Sequence, residues 1–163
     1  MYTEAFMQRA LAVSAQALDQ PGTEPFGAVI VKNGQIVGEG FNHARAKWDP
    51  TAHGEVEAIR DACQRLESLN LSGCELYTSC EPCALCVSAM GIVGISALYY
   101  AASLEQSHAA IGALPASARP PIDTDELRRE AGAPIAERRM PSQQALDREA
   151  VDILKRWAAS AGT

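Results

Sequence analysis

Cys83 and Cys86 stand three residues apart directly after Pro82, and His53 and Glu55 lie two apart about thirty residues earlier. In a first helical turn, residues three apart are neighbours, so both thiols can reach one metal ion. That end of a helix also favours thiolates, because its unpaired N–H groups and dipole lower the thiol pKa. His53, at the start of another apolar-patterned segment, supplies a third ligand. Three protein ligands leave one position for water, as in catalytic rather than structural zinc sites. Glu55 is then placed to hydrogen-bond that water without touching the metal, which suits a proton shuttle.

The remaining residues of these types have plainer readings. Cys63 and Cys74 fit a helix face and a strand edge as small buried hydrophobes. Cys80-Glu81-Pro82-Cys83 is an overlapping C-x-x-C, but a redox pair would leave His53, Glu55 and Cys86 without a role, so Cys80 is expected to pack beneath the site. His43 and His108 have no ligand-spaced companions and read as solvated or locally bonded. Glu81 reads as a loop-capping carboxylate, and Glu57, Asp61 and Glu67 as a solvated helix face. Asn42, in a loop, carries a donor and an acceptor that could meet a ring edge.

The elements that must position these groups follow from periodicity. Apolar residues from Phe6 to Leu18 recur at three and four, predicting a first helix that Pro21-Gly22 ends. Asn33-Gly34 between Gly27–Val31 and Gln35–Gly38 predicts an antiparallel hairpin. An irregular stretch from Phe41 to Pro50 delivers a helix with His53 in its first turn, followed by Val56, Ile59, Ala62, Cys63 and Leu66 at helical spacing. Glu75–Ser79 reads as a strand, Cys83–Met90 as a helix behind Pro82, and Ile95–Ala101 as a strand. The order β-β-α-β-α-β predicts an α/β mixed sheet with helices packed over it. Beyond an Ala/Pro-rich stretch from Ala109 to Pro121, short helices are expected at Thr124–Glu130 and Gln144–Ala159.

The chain has 163 residues, a length for one domain, read as residues 1–163 with 122–163 as a C-terminal helical segment too short to bury a core alone. With 47% hydrophobic and 21% charged residues it falls in the globular range. The net charge of -6 comes entirely from the first 118 residues, which carry 6 basic and 12 acidic groups against 8 of each afterwards. This balance argues against a nucleic-acid partner and for a small-molecule substrate. Five cysteines, an odd number, and a start without a basic n-region argue for reduced thiols and a cytoplasmic protein. Pro82–Leu104 carries no charge and could span a bilayer by length, but Gly91 and Gly94 divide it into a helical and a strand-like part, so no membrane association is expected.

His53-Gly-Glu55 followed by Pro82-Cys-Ala-Leu-Cys86 matches the signature of zinc nucleobase deaminases. The chain resembles the cytidine-deaminase-like zinc enzymes, in particular the small bacterial-type guanine deaminases. The similar stretches are Pro25–Lys32, Asp49–Val56 with Ala58–Arg60, Leu76–Cys83 and Tyr100–Ala102, with weaker likeness at Ile122-Asp123 and Glu137–Pro141. The resemblance implies a three-layer α/β/α sandwich around a mixed five-stranded sheet, Zn2+ on His53, Cys83 and Cys86, and Glu55 as proton shuttle. It further implies that Asp123 assists proton transfer to the leaving amine, that Phe26 and Asn42 line the base pocket, and that a homodimer exchanges its C-terminal segments. Relatives tend to carry aromatics where this chain has Ile92 and Thr163, which implies a wider pocket here. The implied activity is hydrolytic deamination of a nucleobase, guanine to xanthine first. A tRNA adenosine deaminase, a deaminase of guanosine, cytidine or an aminotriazine, and a zinc-binding module without catalysis stand as alternatives.

Overall fold

The computed structural model describes residues 1–161. Its central sheet is built from β1 (Glu24–Lys32), β2 (Gln35–Asn42), β3 (Glu75–Cys80) and β4 (Ala97–Ala102) in the order β2-β1-β3-β4. β1 pairs antiparallel with β2 and with β3, whereas β3 and β4 run parallel, so the sheet is mixed. The β1–β2 turn holds Asn33 and Gly34 at positive φ (52° and 75°), the backbone that an Asn-Gly hairpin demands.

Helix α1 (Glu4–Ala15) covers one face, where Met7, Ala10 and Val13 pack on Val29, Val31, Phe41 and Tyr77. Helices α3 (Gly54–Leu66) and α4 (Ala84–Val93) cover the other, where Ile59, Met90 and Val93 meet Ala28, Ile30 and Leu76. β1 is therefore buried on both sides, which is why its run Ala28–Val31 is apolar without alternation. α3 lies unusually near the sheet: a Cβ on Gly38 or Gly40 would fall 2.6 Å or 2.5 Å from the backbone of Ala58, and one on Gly54 would fall 2.2 Å from the Phe26 carbonyl oxygen.

The three-layer sandwich agrees with expectation, and the sheet has four strands rather than five. After β4 the chain forms α5 (Leu104–Ile111), and the residues beyond it carry Pro115, Pro120, Pro121, Pro134 and Pro141, each lacking the N–H that a further ladder needs. The short α2 (Ala44–Lys47) and α5 both lie where no helix was expected. α5 is announced by Ser103-Leu-Glu-Gln106, a complete capping box in which Ser103 Oγ accepts the Gln106 N–H and the Gln106 side chain accepts the Ser103 N–H. The uncharged run Pro82–Leu104 is divided between α4 and β4, and no helix among the described residues is long and apolar enough to cross a membrane.

The chain forms two compact units, Met1–Arg128 and a smaller one from Arg129 onward. The first holds the sheet and both cores. The second contains the end of α6 (Thr124–Gly132) and α7 (Asp147–Ala161), whose Val151, Ile153, Leu154 and Trp157 are all exposed.

Candidate active site

His53 and Cys83 are the N-cap residues of α3 and α4, one position before the helical turns expected for them. Both have extended backbone and neither side chain caps its own helix, so imidazole and thiol are free to converge. Cys86 follows in the first turn of α4 and is buried. Two helix N-termini thus face one point, and their orphan N–H groups stabilise negative charge there.

His53 Nδ1 lies 3.5 Å from each sulfur, and the two sulfurs are 3.8 Å apart. A tetrahedral ion bonded to sulfur at about 2.3 Å and to nitrogen at about 2.0–2.1 Å separates two sulfurs by about 3.8 Å and sulfur from nitrogen by about 3.6 Å. The donor triangle therefore has the edges that zinc requires. The hydrogen bond between the two sulfurs, aided by His53, holds the Cys83 thiol pKa down at about 4. That same bond to Cys83, with burial, pushes the Cys86 thiol far up. The hydrogen bond to Cys83 raises the His53 pKa. Metal binding to this set must therefore displace protons, as ligation by thiolates requires.

Glu55 is 6% exposed, beside the triangle and outside it. It accepts hydrogen bonds from the Cys86 thiol at 3.3 Å and the Thr78 hydroxyl at 3.4 Å. Burial pushes its carboxyl pKa up, the direction that favours a carboxyl able to hold a proton as well as take one.

These four residues share a pocket of about 110 Å³ with Phe26 and Asn42. Asn42 is buried, and its Oδ1 accepts the Ala44 N–H at 2.9 Å, which leaves its Nδ2 as a donor for a ring edge. Asp123 stands apart from the group. Its exposed carboxylate accepts the Glu126 N–H at 2.8 Å and caps α6, and it is Ile122 and Thr124 on either side that reach the pocket wall. Ile92, one of the two positions without the expected aromatic, is 85% exposed on α4 and outside the pocket wall; Thr163, the other, lies outside the described residues.

Cys80 lines the pocket floor, buried as expected, with burial pushing its thiol up. Glu81 caps α5 by accepting the Leu104 N–H at 3.1 Å. His43 bonds locally, its Nδ1 2.7 Å from the Phe41 carbonyl oxygen. His108, which has no ligand-spaced companion in the sequence, is part of the wall, as is Arg119. The first signal that could have found them is the Ser103–Gln106 capping box, because a helix there turns His108 back over the site.

Residues 1–102 match the model of the cytidine and deoxycytidylate deaminase zinc-binding region, well over half of the chain. The chain belongs to that family. It is a zinc-dependent hydrolase of the deaminase class, and among the described residues His53, Cys83 and Cys86 are the group that could hold the metal. This deaminase is 38% identical over 157 residues to the guanine deaminase of Bacillus subtilis, covering 96% of this chain and 94% of that one. The X-ray structure of a guanine deaminase from the same species superposes with a TM-score of 0.82 at 36% identity, covering 98% and 95% of the two chains. A tRNA-specific adenosine deaminase of Aquifex aeolicus is 39% identical over 111 residues, 68% of this deaminase and 72% of that protein.

Proposed function

We propose that this deaminase converts guanine to xanthine and ammonia, with His53, Cys83 and Cys86 holding zinc, Glu55 moving the protons, and Phe26 and Asn42 receiving the base. The observation that carries this reading is the extent of the likeness. Similarity to guanine deaminase runs through 96% of the chain, including the segments after β4 that wall the pocket, whereas similarity to the tRNA enzyme stops at 68%. The Asn42 amide adds to it. With Oδ1 committed to the backbone, Asn42 offers a donor, and guanine presents acceptors at O6 and N7 where adenine replaces O6 by an amino donor.

Bound to these ligands, zinc supplies Lewis acidity and lowers the pKa of a coordinated water toward about 7. Glu55 takes the proton released in the attack on the ring carbon and holds it on its buried carboxyl. The same group returns the proton to the departing amine, so one acid/base serves both transfers. Phe26 presents a face for stacking, and the small volume of the pocket suits one ring system, since pockets for drug-sized ligands measure roughly 300–1,000 Å³.

We also read the chain as one functional domain and place it in the cytoplasm as a homodimer that exchanges residues 122–163. Two features support the pairing: the exposed, uncharged surface of α4 with Leu85, Val87 and Ile92, and the uncovered apolar residues of α7. Sedimentation of the full chain and of a chain cut after Pro121 tests it, and a soluble truncated protein in the same oligomeric state would refute the exchange. For the activity, ammonia release is measured with guanine, adenine, cytosine, an aminotriazine and a tRNA anticodon stem, on the wild type and Asn42→Ala. Guanine is expected to give the highest kcat/KM, with a loss of about tenfold to a hundredfold in Asn42→Ala, the scale of one lost hydrogen bond. Turnover of the tRNA stem alone would overturn the reading.

A further inference from the structure

Between Gly112, where α5 ends, and Thr124, where α6 begins, the chain forms a strap across the pocket. The strap has almost no buried surface, since Arg119 is the one half-buried residue from Gly112 to Asp123. Its regular content is two turns, one closed by the Leu114 N–H on the Ile111 carbonyl and one in which the N–H groups of Ala118 and Arg119 both reach the Pro115 carbonyl. What fastens it is two arginines. Arg45 of α2 donates through Nη1 to the Ala118 carbonyl at 2.5 Å, and Arg119 donates through Nε to Glu24 of β1 at 2.9 Å. The Arg119 guanidinium also lies over the Phe26 ring, 5.2 Å from its centroid.

Arg119, Ile122 and Thr124 are walls of the same pocket that holds His53 and Glu55. The position of this wall therefore depends on charged hydrogen bonds, not on a core. A guanidinium is suited to the place: it is planar, so it can pair edgewise with Glu24 and lie flat on Phe26 at once. With the strap fastened the cavity measures about 110 Å³, room for a free base. A nucleoside adds a whole ribose, for which that volume leaves no room while Arg119 and Ile122 of the strap stand as walls.

We infer that Arg119 is a specificity-determining residue: by tying the strap to Glu24 and Phe26 it confines the site to free bases and excludes nucleosides. The inference rests on the pocket being that of a base deaminase, but it does not depend on which base. Arg45 acts at a distance, as a positioning residue that holds the strap without lining the pocket.

The test compares zinc-loaded wild type, Arg119→Ala, Arg119→Lys and Arg45→Ala on guanine and guanosine, cytosine and cytidine, and adenine and adenosine. The readout is the ratio of nucleoside to base kcat/KM for whichever pair is turned over. The same ratio is taken from dissociation constants measured by calorimetry in a Glu55→Gln background, where nothing is consumed. We expect the ratio to rise at least fivefold in Arg119→Ala and in Arg45→Ala, with Arg119→Lys between wild type and Arg119→Ala because lysine keeps the charge but not the plane. A smaller rise in either alanine variant overturns the inference, as does a wild type that takes nucleosides as readily as bases. Should Arg119→Ala not fold, Arg45→Ala decides the matter, since it alters no residue that lines the pocket. Activity on another base pair in place of guanine would refute the guanine assignment while the ratio still tests the strap.

Discussion

Glu55 and Glu57 sit two residues apart on α3 and live in opposite electrostatic worlds. Glu55 faces inward, 6% exposed, with a thiol and a hydroxyl as its hydrogen-bond donors and no cation in contact. Glu57 lies on another side of the helix, its side chain 10% exposed, where Lys47 Nζ and Arg60 Nη1 both reach its carboxylate and Arg60 also pairs with Asp49. Burial raises the first carboxyl. Burial would raise the second too, but hydrogen bonds from Lys47 and Arg60 outweigh it and hold that carboxyl below its usual range. The lesson is that one helix turn can carry a group kept ready to exchange a proton and another locked in its charged form, and that the difference lies in which neighbours the sheet and loops bring, not in the residue type.

The sharpest way to break this contrast is to remove what Glu55 serves. In Cys86→Ala the donor triangle loses a vertex, so metal analysis should find much less than one zinc per chain and no measurable deaminase activity; a variant that retains a full zinc would remove the basis of the site. Next in size is Glu55→Gln. Turnover should fall by about 10²- to 10⁴-fold, since an amide carries no proton in either direction. Zinc content and melting temperature should not fall, because the change replaces a costly buried carboxyl by a neutral group of the same shape. A lower melting temperature would mean that the carboxylate is a structural partner, and retained turnover would dismiss it as the shuttle.

Glu57→Gln should do the reverse: unchanged turnover and a stability loss of about 1 kcal/mol, at the upper end for partly exposed ion pairs. The sign with pH follows from its lowered pKa. The contribution is fully present above the unfolded value of about 4.3 and is lost as pH falls through the folded one. Chemical denaturation of both proteins should therefore show a gap at pH 7 that closes as the pH drops below about 4. A gap independent of pH would assign the loss to packing.

The sequence made the inner half of this picture legible and left the outer half hidden. His53, Glu55, Cys83 and Cys86 announce themselves because ligand chemistry restricts both residue type and spacing, and a helix start fixes where they point. Asn33-Gly34 did the same for the hairpin. Spacing reads Glu57 as part of a solvated face, but its side chain is 10% exposed beneath two cations, and one of them, Lys47, comes from α2, a helix too short for any periodicity to reveal. The strap was equally opaque: Ala- and Pro-rich chain has no pattern, and the pairing of Arg119 with Glu24 spans 95 residues. Asp123 is known to the sequence only through the resemblance, and spacing gave no sign that its carboxylate also accepts the Glu126 N–H at the start of α6.

The close seat of α3 on the sheet has a consequence for how such a molecule can change over generations. With the Phe26 carbonyl 2.2 Å from where a Cβ of Gly54 would be, a single nucleotide change at that codon displaces the strand that carries Phe26 and the histidine-bearing helix together. A change in the strap meets only solvent on most of its length. Inheritance can therefore explore new substrates through residues 112–123 almost freely, while the chemistry beneath is held to a narrow corridor by three hydrogen atoms, one on each of Gly38, Gly40 and Gly54, where no carbon fits.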